Sequence, residues 1–260
     1  MRKTLSLCLI LLLMACAQTS EGDKEAEAVD KSTFLKLAEK AYSSHDLLMA
    51  ASMYQKAISA DPELIPARLG YARTLAEMGN IPFAIDAYEQ VIKLRPNDST
   101  AKRGLAGLYL NSFKAKEAET LLVDALNQKP EPKLFNSLGV AYDMMGEADD
   151  ARQAYYSGLV LDNKDQNLWA NLGLSLALNG RAKEGVKIMQ KVANSANANP
   201  VYRQNLAFLY ILTGQKPVAE KILRLDMSAE EVDKITSFYT RVAAMEDSGD
   251  KIKALVRGMR

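Results

Sequence analysis

One column of small residues constrains this chain more than anything else in it. Ala50, Ala84, Ala118, Ala151, Gly185 and Ala219 follow one another at intervals of 34, 34, 33, 34 and 34 residues. Four positions after each stands a large residue: Tyr54, Tyr88, Leu122, Tyr155, Met189 and Leu223. Seven positions after come Ala57, Val91, Ala125, Gly158 and Val192, until Asp226 breaks the pattern. A second small column, Ala38, Ala72, Ala106, Gly139, Gly173 and Ala207, runs through the preceding segments. The distance between packed helices is set by the side chains at their contact, so close crossings need small residues there. Pro62, Pro96 and Pro130 stand where each second helix must end, because proline cannot continue the hydrogen-bond ladder. Gly79, Gly146, Gly180 and Gly214 fall between the helices of a pair, where a positive φ is needed.

This spacing is the tetratricopeptide pattern of paired antiparallel helices. "LFNSLGVAYDMMG" (134–146) and "LWANLGLSLALNG" (168–180) resemble its first-helix motif. The expectation is an all-α, right-handed tetratricopeptide solenoid of about six helix pairs plus a C-terminal capping helix, over residues 31–246. Arg68, Lys102 and Arg203 depart from the pattern, occupying the bulky position that Phe135 and Trp169 fill elsewhere. After the sixth unit, Ser228 and Glu231 form the spacing of a capping box. Val232, Ile235, Phe238, Val242 and Met245 then recur at helical intervals, predicting a helix that covers the end of the stack. Residues 247–260, "DSGDKIKALVRGMR", read as a short basic, frayed tail.

The N-terminal end is different in kind. "MRK" precedes an apolar run that stops at Ala15, about half the length a membrane-spanning helix needs. Leu13-Met14-Ala15-Cys16 resembles the bacterial lipobox. The resemblance implies a signal peptide over residues 1–15 and a covalent lipid on Cys16, with Ala17 at the next position directing the protein to the outer membrane. Residues 16–30 carry no large apolar side chain and read as the lipidated cysteine and a flexible tether, with a span on the order of 20 Å.

Composition removes several function classes. Loss of residues 1–15 takes Arg2 and Lys3, leaving 31 basic against 32 acidic side chains and no electrostatic footprint for nucleic acid. Cys8 leaves with the signal and Cys16 is lipidated, so no thiol remains for a disulfide or a thiolate metal site. His45 is the only histidine and sits in "SSHDLL", read as a turn, which leaves no zinc site or Ser-His pair. No phosphate-cradling loop or nucleophile elbow is present, so no catalytic residues, metal or cofactor beyond the lipid are expected.

A solenoid offers a long concave groove, lined by the first helix of each pair, rather than a deep pocket for a small substrate. The inward positions of repeats 4–6 include Asn136, Val140, Asp143, Met144, Asn167, Leu174, Gln204 and Phe208. Amide side chains there can pair with an extended peptide backbone, and apolar neighbours can take its side chains. Leu174, Phe208 and Ile211 would serve equally as core beneath the capping helix.

"NLGLSLALNGRAKEGVKIMQ" (171–190), "RQNLAFLYILTGQKPVAEKI" (203–222) and "LDMSAEEV" (225–232) resemble the TadD lipoproteins of tight-adherence (Flp) pilus assembly. That resemblance implies a pilotin-like factor on the periplasmic face of the outer membrane, with a secretin subunit or another pilus assembly protein as partner. Cys16 is the one functional residue it carries over. Another tetratricopeptide lipoprotein, such as a type IV pilus pilotin or a murein-hydrolase scaffold, or a periplasmic chaperone of pilus components, would have the same repeats.

Overall fold

The computed structural model describes residues 20–195 and 199–258. The lipobox, Cys16 and the signal segment lie outside these residues. All regular secondary structure among the described residues is helical. The chain divides into two compact units, Met1–Leu94 and Arg95–Arg260.

The first unit holds α1 (Ser20–Ser43), α2 (Leu47–Ala60), α3 (Ile65–Glu77) and α4 (Ile81–Leu94). Asp46 caps α2 by accepting a hydrogen bond from the Met49 amide, and α2 and α4 both stop before the prolines at 62 and 96. Ala38, Ala50, Tyr54, Ala57 and Ala67 share one buried cluster. Tyr54 fills the gap that the small residues leave, and a Cβ added at Gly70 would lie 2.3 Å from its ring. The segment read as a flexible tether is corrected here in part: α1 starts at Ser20, so residues 20–30 continue the first helix. Glu25, Ala26, Glu27 and Ala28 are low in apolar area but are good helix formers, and they extend a helix already nucleated by packing further on.

The second unit holds α5 (Ser99–Asn111), α6 (Ala115–Gln128), α7 (Pro132–Met145), α8 (Ala148–Leu161), α9 (Gln166–Leu178), α10 (Ala182–Ala193), α11 (Pro200–Leu212), α12 (Lys216–Leu223), α13 (Ala229–Ala243) and α14 (Ser248–Gly258). Ala118, Ala151 and Ala219 of the small column are wholly buried here, as Ala50 and Ala84 are in the first unit. Gly185 is buried too, and its neighbour across the crossing is Gly173. First helices pack on first helices down the stack, α5 on α7, α7 on α9 and α9 on α11. Second helices pack on their own first helix and on the next one, which makes the first helices the inner layer of this unit.

The turns keep the same register as the columns. Among the described residues the left-handed positions are His45, Gly79, Phe113, Gly146, Gly180 and Gly214, one at the end of each first helix. His45 is an exposed turn residue. Phe113 is the surprise, since a bulky side chain at φ 60° is strained where glycine is free.

The three polar departures are compensated rather than defective. Trp169 donates its indole N–H to the Asn163 carbonyl at 2.9 Å, six residues back. Arg68 makes the same reach with Nε to the Pro62 carbonyl at 2.5 Å and adds a bond to Gln90 at 2.9 Å. Lys102, 3% exposed, pairs with Asp124 at 2.5 Å. Arg203 grips Asp226 through two bonds of 2.6 Å, and Asp226 is the residue that interrupts the apolar column. One irregularity answers the other, and Arg203 holds the Asp226 carboxyl below the usual carboxylate range.

The capping box at α13 is formed: Ser228 N–H donates to Glu231 at 2.8 Å, and the Glu231 amide donates to the Ser228 hydroxyl at 3.4 Å. The reading of 247–260 as a frayed tail is corrected. Residues 248–258 form α14, capped by Asp247, which accepts from the Asp250 amide at 2.8 Å. The helix packs on α7 and α13 with Gly249, Ile252 and Leu255 buried. Spacing of three along a helix puts these three on one stripe, and burying that stripe holds an otherwise basic segment down.

Candidate partner-binding surface

The inner layer of the second unit is part open and part covered, and the cover differs even between equivalent repeat positions such as Val140, Leu174 and Phe208. Part of the lining on α7, α9 and α11 is accessible. Asn167 is exposed, and Asn136, Val140, Leu174 and Gln204 are half-buried. Where α13 and α14 lie over it, the lining is covered. Met144 and Phe208 are each 1% exposed and Asp143 is 4% exposed, so these three are core and do not line an open groove. Met144, Leu178, Phe208 and Ile211 share a buried cluster with Val232, Tyr239, Val242, Ile252 and Leu255 of α13 and α14. Phe208 meets Tyr239 edge-on, with ring centroids 5.2 Å apart. A per-helix inward position therefore identified the layer correctly but not which half of it stays open.

The open half is a ladder of amides. Asn171 Nδ2 donates to Asn136 Oδ1 at 2.9 Å, linking α9 to α7. Tyr202 donates its hydroxyl to Asn167 Oδ1 at 3.0 Å, linking α11 to α9. Asn171 is absent from the sequence-derived lining because it lies 35 residues from Asn136, one beyond the repeat. In both pairs one asparagine oxygen accepts an internal bond, which restrains the side chain while its NH2 keeps donor capacity. Val140 and Leu174 stand one turn after Asn136 and Asn171 on the same helices, giving apolar footing beside bonded polar groups. Such a surface suits the backbone and side chains of a peptide segment. Among the described residues no group of three or more His, Cys, Asp or Glu is placed to hold a metal ion.

Asp143 is the buried titratable group beside this surface. Ser175 and Tyr155 donate hydroxyls to its two oxygens at 2.6 and 2.8 Å. Burial outweighs these bonds and pushes its carboxyl up to about 6, from an ordinary 3.8. A raised folded-state pKa means that the folded protein prefers the protonated acid. The contribution of Asp143 is fully present below about 3.8 and is lost as pH rises through about 6. Acidification from pH 7.5 to 5 is expected to favour the wild type over Asp143→Asn by roughly 1 kcal/mol. Thermal melts of both proteins at the two pH values check this, and parallel shifts would contradict it.

No protein-family profile matches the chain. The curated proteins it matches are 25–26% identical, among them tetratricopeptide repeat protein 21B of Mus musculus, at 26% over 90% of this chain. They are much longer, and the chain spans 13–29% of their lengths. Among solved structures it is similar to the Cut9–Hcn1 assembly of the APC/C, with a TM-score of 0.71 at 18% identity, covering 84% of this chain and 44% of that one. It is similar to PilW, a type IV pilus biogenesis factor, with a TM-score of 0.69 at 14% identity, covering 79% of this chain and 97% of that one. PilF of Pseudomonas aeruginosa gives 0.64 at 14% identity, covering 82% and 99%. At these identities the likeness establishes the fold alone, and the fold is that of tetratricopeptide proteins.

Proposed function

We propose that this chain is a membrane-anchored scaffold for pilus assembly, acting as a pilotin-like factor for the secretin of a tight-adherence (Flp) system. The observation that carries the reading is the open half of the inner layer, where internally bonded asparagines stand beside apolar side chains. Asn136, Asn167, Asn171 and Gln204 pair with the backbone of a secretin segment, and Val140 and Leu174 receive its side chains. Cys16 carries the lipid, which holds this surface at the periplasmic face of the outer membrane. Several acyl chains, at ~0.8 kcal/mol per buried methylene, make such an anchor effectively permanent. The TadD-like segments support the assignment to the Flp system, and the fold likeness to PilW is consistent with a pilus role without specifying the partner.

Copurification tests the proposal. Wild-type protein extracted from membranes should bring down the secretin. Asn167→Ala with Gln204→Ala should reduce its recovery tenfold or more at unchanged helicity, since neither side chain belongs to the buried cluster. Gln153→Ala with Lys187→Ala, at exposed positions on the second helices, should be silent. Cys16→Ser should move the protein out of the outer-membrane fraction. Normal secretin recovery by the Asn167/Gln204 variant, or its loss in the Gln153/Lys187 variant, would sink this reading.

A further inference from the structure

The seat of α14 on α7 is built from several specific contacts. Gly249 sits where a Cβ would lie 3.0 Å from the Met144 carbonyl oxygen and 3.4 Å from that of Asp143, so any larger residue would make a tight contact with the α7 backbone. Ile252 and Leu255 bury on the same stripe, three and six residues on. Arg257 then lies over the ring of Phe113, 4.5 Å from its centroid. Phe113 holds the turn position that Gly79, Gly146, Gly180 and Gly214 hold in other repeats, and it does so at φ 60°. The strain of a large side chain there has a counterpart in this contact: the ring is the platform on which the last turn of α14 rests.

The fully buried contact is nonetheless narrow. Three of the eleven residues of α14 are buried and five are half-buried, and residues 244–247 join it to α13. The helix packs on α7 of the inner layer and covers the end that carries Asp143 and Met144.

We propose that α14 is an exchangeable self-ligand, and that its seat accepts an amphipathic helix of a partner in its place. The seat specifies the partner's stripe: a small residue, apolar residues three and six positions on, and a cation two positions after the second. The inference rests on the reading of the inner layer as the partner-binding surface and adds the chemistry of what binds there. Exchange makes the short tether useful, because a released α14 stays close and returns when the partner leaves.

A fluorescent peptide of residues 247–258, "DSGDKIKALVRG", tests the seat in the full-length protein. It should bind the Leu255→Asp protein, whose own helix is released, at least tenfold more tightly than the wild type, whose seat is filled in cis. The same peptide carrying Leu255→Asp should bind neither. Equal affinity for the two proteins, or no binding to the released one, overturns the proposal. Hydrogen exchange on the wild type provides a readout that needs no variant. Amides of 248–258 should exchange at least tenfold faster than those of α7, by local opening, and equal protection overturns the proposal as well. Neither measurement contains a secretin. A secretin that fails to bind would therefore remove the pilus assignment and leave the exchangeable helix standing.

Discussion

Replacing Phe208 with alanine is expected to destabilise the second unit by about 3–5 kcal/mol, the range for deleting a fully buried aromatic side chain. The side chain is 1% exposed, meets Tyr239 edge-on, and joins α11 to the cluster that α13 and α14 complete. Its loss removes core beneath α11 and the contact that holds α13 in register. The melting midpoint followed by circular dichroism should fall on the order of 10 °C. A groove-lining phenylalanine, free of core contacts, would leave the midpoint nearly unchanged. An unchanged midpoint would return Phe208 to the binding surface and contradict the division of the inner layer into open and covered halves.

Gly185→Ala should also destabilise, although alanine is the better helix former by about 1 kcal/mol. The added Cβ would meet the Gly173 carbonyl oxygen at 2.3 Å, the Ala177 Cβ at 2.7 Å and the Ala177 nitrogen at 2.9 Å. Two of these are backbone atoms, so the strain cannot be relieved by turning a side chain. α9 and α10 must separate, with a cost of roughly 1–3 kcal/mol, the range for overpacking. Gly107→Ala is the matched control. It lies inside α5 with nothing within 4 Å of the added Cβ, so the same chemical change should stabilise by up to about 1 kcal/mol. Opposite signs for the two substitutions are the expected result, read from denaturant midpoints. Equal signs would mean that the small column is not a set of close crossings.

These two substitutions also mark what could be read from the sequence. The 34-residue columns were legible because close crossing is a steric demand made at one position at a time, and each repeat meets it independently. Phe208 and Ile211 were ambiguous because a tetratricopeptide inner position is open or buried depending on what lies over it. Here that cover is α13 and α14, and their docking is a tertiary event. The Arg203–Asp226 pair looked like two faults because each residue violates its own column, while their compensation is pairwise and spans 23 residues. α14 did carry local signals, the Asp247 cap and the Gly249–Ile252–Leu255 stripe. Its basic side chains and its single short stripe hid them, and the platform at Phe113 lies more than a hundred residues away in sequence.

The open half of the inner layer is the central claim, and photo-crosslinking in native membranes tests it most directly. A photoreactive side chain at position 167 faces outward from the amide ladder, and one at position 153 lies exposed on α8. Position 167 is expected to yield a covalent adduct with a secretin subunit, identified by mass spectrometry, while position 153 yields none. A secretin adduct from position 153 with none from position 167 would contradict the account.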